Sequence, residues 1–271
     1  MTKNTIGRAF ATIAVMLAVT TGMSSCKTNW NGKCDVTDNI EYSQNELKAR
    51  PFNKIAVSVP CEVYYTQNDG NTCNVKLDFS GVKDAELVKE LQEKVKVVYR
   101  QDGTVEIGIK GRVRGLSNSR NGNRLKVYVT SPDLIEVDNE GIGIFYAKSV
   151  NSDRLKVTNE GVGSVEIVNI LANDISLDNE GVGSIKVASA KGDKLDVDNE
   201  GVGSVHVDNY TGMKVELDNE GVGSIHATVN CQSVKATNDG VGSIHLSGKT
   251  HVLTTDNEGV GKIHTSDLKR F

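Results

Sequence analysis

Four of the five histidines fall at His206, His226, His245 and His264, in steps of 20, 19 and 19 residues. Neutral imidazole is a ligand for Zn²⁺ and Cu²⁺, so histidines on neighbouring turns of a repeating fold could share such a cation. A structural zinc site gathers four ligands in a tetrahedron, which a flat ladder supplies poorly, so duplication of a tolerated surface residue is the plainer account. Acidic residues recur with the same step at Glu140, Glu160, Glu180, Glu200, Glu220, Asp239 and Glu258. Two positions earlier stand Asp138, Asp178, Asp198, Asp218 and Asp256, with Thr158 and Thr237 completing the column. Two carboxylates ~5 Å apart repel by about 1 kcal/mol in water, so the stack must splay, hold protons or recruit cations. Ca²⁺, a hard ion that takes carboxylate and carbonyl oxygens, is the natural occupant of a ridge such as Glu160, Glu180, Glu200 and Glu220. The Gly-Gly-x-Gly-x-Asp pattern of calcium-binding β-rolls is missing, and a solvated acidic ridge is the plainer reading. A serine column (Ser164, Ser184, Ser204, Ser224, Ser243) follows repeated glycines. It suits neither a phosphate loop, which needs a helix N-terminus after the glycines, nor a nucleophile, which needs its own base and acid.

These columns exist because one unit recurs. Copies of Asn-(Glu/Asp)-Gly-(Val/Ile)-Gly begin at Asn139, Asn159, Asn179, Asn199, Asn219, Asn238 and Asn257, with spacings of 20, 20, 20, 20, 19 and 19. A fixed period near twenty marks a solenoid in which each unit buries its apolar face only against its neighbours. Within a unit Leu155 and Val157, then Val165 and Ile167, alternate with polar residues, the signature of short strands with one buried face. No window of the repeats carries a 3.6-residue period, which disfavours a leucine-rich repeat. The fold predicted is all-β: a right-handed parallel β-helix of ~20-residue coils, its hand following the usual strand twist.

Stacked coils turn repeated positions into columns about 4.8 Å apart. The column beginning Ile135, Leu155, Ile175 and the column beginning Phe145, Val165, Ile185 are expected inside. A third, Ile142, Val162, Val182, Val202, Val222, Val241 and Val260, is expected inside with them, because seven aliphatics on a solvent face would be a liability. The asparagines are expected to form a hydrogen-bonded amide ladder at a corner.

The N-terminus reads separately. Lys3 and Arg8 precede an apolar run from Ala9 to Val19, and Met23-Ser24-Ser25-Cys26 resembles a bacterial lipobox. Residues 1–25 are therefore expected to be a signal peptide, with Cys26 lipidated. Residues 26–49 then form a polar, flexible tether, and 50–271 a single β-helix domain with irregular coils over 50–134 and regular repeats over 135–265. The apolar run is too short to span a bilayer. Lys27 after the cysteine does not resemble the Asp-based inner-membrane retention signal, which favours the outer membrane, facing either the periplasm or the exterior. Without residues 1–25 the chain has 29 basic and 35 acidic residues, a net charge of −6, and such a balance argues against a nucleic-acid partner. Export permits disulfides; Cys61 with Cys73, flanking the turn-rich Asn68-Asp69-Gly70-Asn71, is the pairing expected if one forms.

The front half alternates more loosely, in Ile55-Ala-Val57-Ser-Val59, Val75-Lys-Leu77, Val95-Lys-Val97, Val105-Glu-Ile107 and Leu125-Lys-Val127-Tyr-Val129, and reads as irregular first coils. Asp84 to Lys94 differs: Leu87, Val88, Leu91 and Val95 have helical spacing and Asp84 is placed to cap, which predicts one short amphipathic helix serving as a lid. Phe52-x-x-Ile55-x-Val57 and Lys126-Val-Tyr-Val-Thr-Ser-Pro132-x-Leu134, leading into Gly141-Ile-Gly143 and the Gly-x-Gly turns beyond, resemble the putative auto-transporter adhesin, head GIN domain family over about residues 50 to 265. That resemblance implies a β-helical exported domain on a lipoprotein, with an adhesin-like role and no catalytic residues to carry over. The uniform repeats here reduce the loops that carry specificity elsewhere.

The expectation is thus a non-catalytic cell-envelope lipoprotein that is bound to the membrane through its lipid and presents a surface to glycan or protein. No cofactor is expected, with Ca²⁺ or Zn²⁺ as the cations the columns would take. One alternative is an envelope structural or divalent-cation-binding protein. A second, a polysaccharide-active β-helix enzyme, is disfavoured because such enzymes build clefts from loops of unequal length with paired carboxylates at defined separation.

Overall fold

The computed structural model describes residues 50–116 and 123–271, together with the backbone of two short N-terminal strands, Lys27–Thr28 (β1) and Cys34–Asp35 (β2), paired antiparallel. Those two strands belong to a unit separate from residues 49–271. The signal peptide and Cys26 lie outside the described residues.

Residues 49–271 form a parallel β-solenoid. Strand Arg154–Asn159 pairs with Asp174–Asn179, and Val162–Leu171 with Val182–Lys191, each residue facing the one 20 positions on. The inward residues of one turn are Leu155, Val157, Val165, Ile167 and Ile170, all at most 3% exposed. Alternation breaks at Val168–Asn169, so the long strand turns a corner there and the coil is three-sided. This corner also absorbs the change of period: between Val207 and Tyr210 the register shifts, and the next turn is one residue shorter.

At a second corner the asparagines point inward. Asn159 and its successors to Asn238 are fully buried, and each side-chain amide from Asn139 to Asn238 donates to the next asparagine's Oδ1 at 2.7–2.8 Å. Asn139 O also accepts from Glu160 N and Gly161 N of the next turn. The amide ladder therefore satisfies a buried polar seam that would otherwise cost several kcal/mol. Glycine follows because the turns touch here: a Cβ on Gly201 would lie 2.2 Å from Gly181 O.

The third column is corrected. Val162, Val182, Val202, Val222 and Val241 are 51–53% exposed, Ile142 46% and Val260 73%. The strand begins at Val202 and runs straight through Val207, so Val202 and Gly203 are strand and the bend falls before them, at Glu200–Gly201. With Val205 and Val207 inward, period-2 alternation sends Val202, Ser204 and His206 outward.

The front half is solenoidal but threaded out of order. Lys54–Val57 (β3) and Cys61–Gln67 (β4) lie between strands that follow them in sequence. β3 pairs in parallel with both Thr104–Ile109 and Glu136–Asn139, while β4 pairs with both Leu125–Ser131 and Ile142–Asn151. Asn74–Asp78 and Val95–Tyr99 run antiparallel to the outermost turn. Between these two comes the predicted helix, Ala85–Lys94 (α1), with Asp84 Oδ1 accepting from Glu86 N and Leu87 N. Leu87 and Leu91 are buried in the common core, so α1 closes the N-terminal end of the stack.

Candidate functional site

The four histidines do stack. Consecutive rings from His206 to His264 stand 4.5–4.6 Å apart and within 13° of parallel. That geometry is a stack rather than a chelate. A metal binds in the plane of its imidazole at about 2 Å, and an ion in one ring plane lies a full ring spacing off the next. His206 hydrogen-bonds Ser204 Oγ at 3.0 Å. Burial holds the pKa values of His206, His226 and His245 below the usual value, helped by Lys186 at His206 and by neighbouring imidazoles at the others. Burial thus favours the neutral form of these three rings. A shallow groove of about 310 Å³ runs beside it, with Asp208, Thr228 and Asp267 on its far side.

The histidines are part of a longer column: the repeat step alone carries it back through Lys186 and Glu166 to Tyr146, and strand pairing adds Tyr64 and Tyr128, which the repeat does not reach. Strand pairing places Tyr128, Tyr64, Tyr146, Glu166, Lys186 and the four histidines in one continuous line. Tyr64 stacks on Tyr128 at 5.5 Å and leans on Tyr146 at 6.2 Å. Because the rings stack on one another, the column shows solvent their edges and hydroxyls rather than their faces. Beside it run the serine column and, beyond that, the exposed valine column.

At the asparagine corner the residues of the acidic column are exposed. Carboxylate oxygens of Asp138, Glu140 and Glu160 lie within 4.8 Å of one another. The inner aspartates pay more. Burial, reinforced by Glu140 and Glu160, raises the Asp138 pKa to about 7, and burial with Asp178 and Asp218 raises that of Asp198 to about 6. The Oδ1 atoms of Asp138 and Asp218 are buried without a hydrogen-bond partner. Lys156 pairs with Asp178 at 3.0 Å, but among the described residues no cation pairs with Glu160, Glu180, Glu200 or Glu220.

The Cys61–Cys73 pairing is absent, since both are free thiols. Cys61 heads β4 with its side chain in the core, where burial pushes the thiol to about 12. Cys73 Sγ instead sits 3.9 Å from Phe52 O.

A concave site also escaped the sequence reading. The loop over 67–71 overhangs stacked corner turns and bounds a groove of about 1500 Å³, lined by Asp69, Asp153, Arg154, Asn173, Lys191 and Met213 among others. Gln67 anchors the overhang: its Nε2 donates to Pro132 O and Asn151 O, and its Oε1 accepts from Asn151 N. From sequence the loop is only a turn between cysteines; what it overhangs depends on which strands stack beneath β4.

A uniform parallel solenoid with columnar outward faces places the chain among the β-helical domains. The family model described as putative auto-transporter adhesin, head GIN domain matches residues 51–228 and 208–270, and the chain belongs to that family. Among solved structures it is similar to a putative adhesin from Bacteroides fragilis NCTC 9343 (24% identity, 80% of this chain and 93% of that one, TM-score 0.67). It is likewise similar to a putative adhesin from Parabacteroides merdae ATCC 43184 (21%, 80% and 93%, TM-score 0.55) and to a putative lipid binding protein from Parabacteroides distasonis ATCC 8503 (20%, 80% and 94%, TM-score 0.50). No curated protein matches it.

Proposed function

We propose that this chain is a non-catalytic, adhesin-type binding module of the cell envelope. Cys26 would carry the lipid that holds it in the outer membrane, and the solenoid would present glycan or protein with a rigid surface. One observation carries the reading: the outward side of strands such as Val202–Val207 repeats as unbroken columns from turn to turn. A surface of this kind favours ligands that themselves repeat. Protease shaving of intact cells, combined with a binding screen of the purified protein on glycans and host-matrix proteins, tests it. Full protection from protease together with no binding would remove the support for adhesion.

The acidic corner favours a second reading, divalent-cation binding, on the close approach of the Asp138, Glu140 and Glu160 carboxylates. Ca²⁺ titration followed by melting, on wild type and Glu160→Gln, separates the two. A rise in melting temperature with Ca²⁺ that Glu160→Gln abolishes supports this reading, and equal behaviour of the two proteins removes it.

A further inference from the structure

An apolar ridge and a column of like charges run side by side along the whole repeat region. The first is the aliphatic ridge from Ile142 to Val260, in which the central valines are half exposed. The second is the column of exposed acids from Glu140 to Glu258, two residues before the aliphatic residue in every turn and separated from it by one glycine. Stacked valines shield one another in part and favour strand structure, which explains a β-branched residue at the position but not the contiguous apolar strip that remains. Stacked glutamates repel, and among the described residues no lysine or arginine pairs with Glu160, Glu180, Glu200 or Glu220.

From this juxtaposition we infer that the ridge is a docking surface for a cationic amphipathic α-helix, whose apolar stripe lies on the valines and whose lysines or arginines lie on the glutamates. The inference deepens the binding-module reading and rests on it. Other occupants satisfy only half of the surface. A divalent cation neutralises the acids and leaves the valines wet. A second copy of the chain covers the valines but supplies no cation to the acids: antiparallel it sets one acidic column against another, and parallel it sets the acids against the neutral serine column. An anionic membrane surface is repelled. The spacing selects a helix over a strand: a helix returns an apolar side chain to one face about every 5.4 Å, close to the ~4.8 Å between turns. An extended strand does so only every ~6.8 Å. Helix-in-groove recognition reads anchors at i, i+3, i+4 and i+7, and a helix of about 20 residues spans about 30 Å, roughly the length of the ridge.

The test uses the full chain and a fluorescent helical peptide of about 20 residues, with leucines along one face and lysines elsewhere. A matched peptide keeps the leucines and carries glutamates in place of the lysines. Anisotropy should show binding of the lysine peptide alone, weakened about tenfold by ~0.3 M salt. The triple variant Val182→Ser/Val202→Ser/Val222→Ser, whose altered side chains are all exposed, should weaken binding about tenfold at either salt concentration. Glu180→Gln/Glu200→Gln/Glu220→Gln should weaken it at low salt and flatten the salt dependence. Equal binding of both peptides, or unchanged binding of the lysine peptide by both triple variants, overturns the inference. So does self-association, seen in sedimentation and abolished by the valine variant, when no peptide binds. Glycan binding without peptide binding likewise overturns it while leaving the binding-module reading intact.

Discussion

At the scale of single residues, the fold places matched side chains one turn apart, so each substitution is felt by two neighbours. Asp198 shows the pH consequence. Its pKa is raised to about 6 by burial and by Asp178 and Asp218, whereas an unfolded aspartate titrates near 3.9. The folded state therefore holds its proton more tightly, and the residue costs stability progressively as pH rises from about 4 through 6. Asp198→Asn should be nearly neutral below about pH 4 and, after allowance for its partial exposure, stabilising by about 1 kcal/mol at pH 7 and above. Melting temperature against pH for the two proteins checks this. The valine assignment gives a paired test. Val205→Asp buries a charge at a position with no exposure and should cost several kcal/mol. Val202→Asp adds an exposed charge beside Glu200 and should cost about 1 kcal/mol. Urea titrations of both decide the order.

Elements carry the next layer. The amide ladder couples turns, so Asn199→Ala should orphan Asn179 Nδ2 and Asn219 Oδ1, both buried, at a cost of about 3 kcal/mol; chemical denaturation reads it. At the N-terminal end Leu91, fully buried on the inner face of α1, is the anchor of the cap. Leu91→Ala should cost about 2–4 kcal/mol, with hydrogen exchange rising first in Asn74–Asp78 and Val95–Tyr99, the strands next to α1. Much at this scale was legible in the sequence. The Asn repeat, the inward pairs Leu155/Val157 and Val165/Ile167, and the capping Asp84 each declare themselves by local chemistry. The valine column was placed inside because seven stacked aliphatics on a solvent face are a liability, and the glycines on both sides of Val202 hid its strand parity. They are in fact required by close stacking, since a Cβ on Gly203 would lie 1.7 Å from Gly183 O. Parity counted back from Val205 would have corrected it.

For the whole molecule, what stayed illegible was everything set by long-range pairing. Nothing local to β4 says that it stacks between Leu125–Ser131 and Ile142–Asn151. Tyr64 and Tyr128 in the histidine column and the groove beneath the 67–71 loop were therefore beyond reach, as was the separation of the free thiols Cys61, in the core, and Cys73, outside it. The same threading makes the solenoid one continuous stack, in which core columns hold the fold while outward columns face solvent. That division of labour is the central claim, and one experiment addresses it directly. Val182→Ser/Val202→Ser/Val222→Ser is compared with wild type for melting temperature and for binding of whichever ligand the wild type retains. A melting temperature within a few degrees of wild type, with binding lost, is the result predicted. Unfolding of the variant, or full binding by a variant that folds, would contradict it.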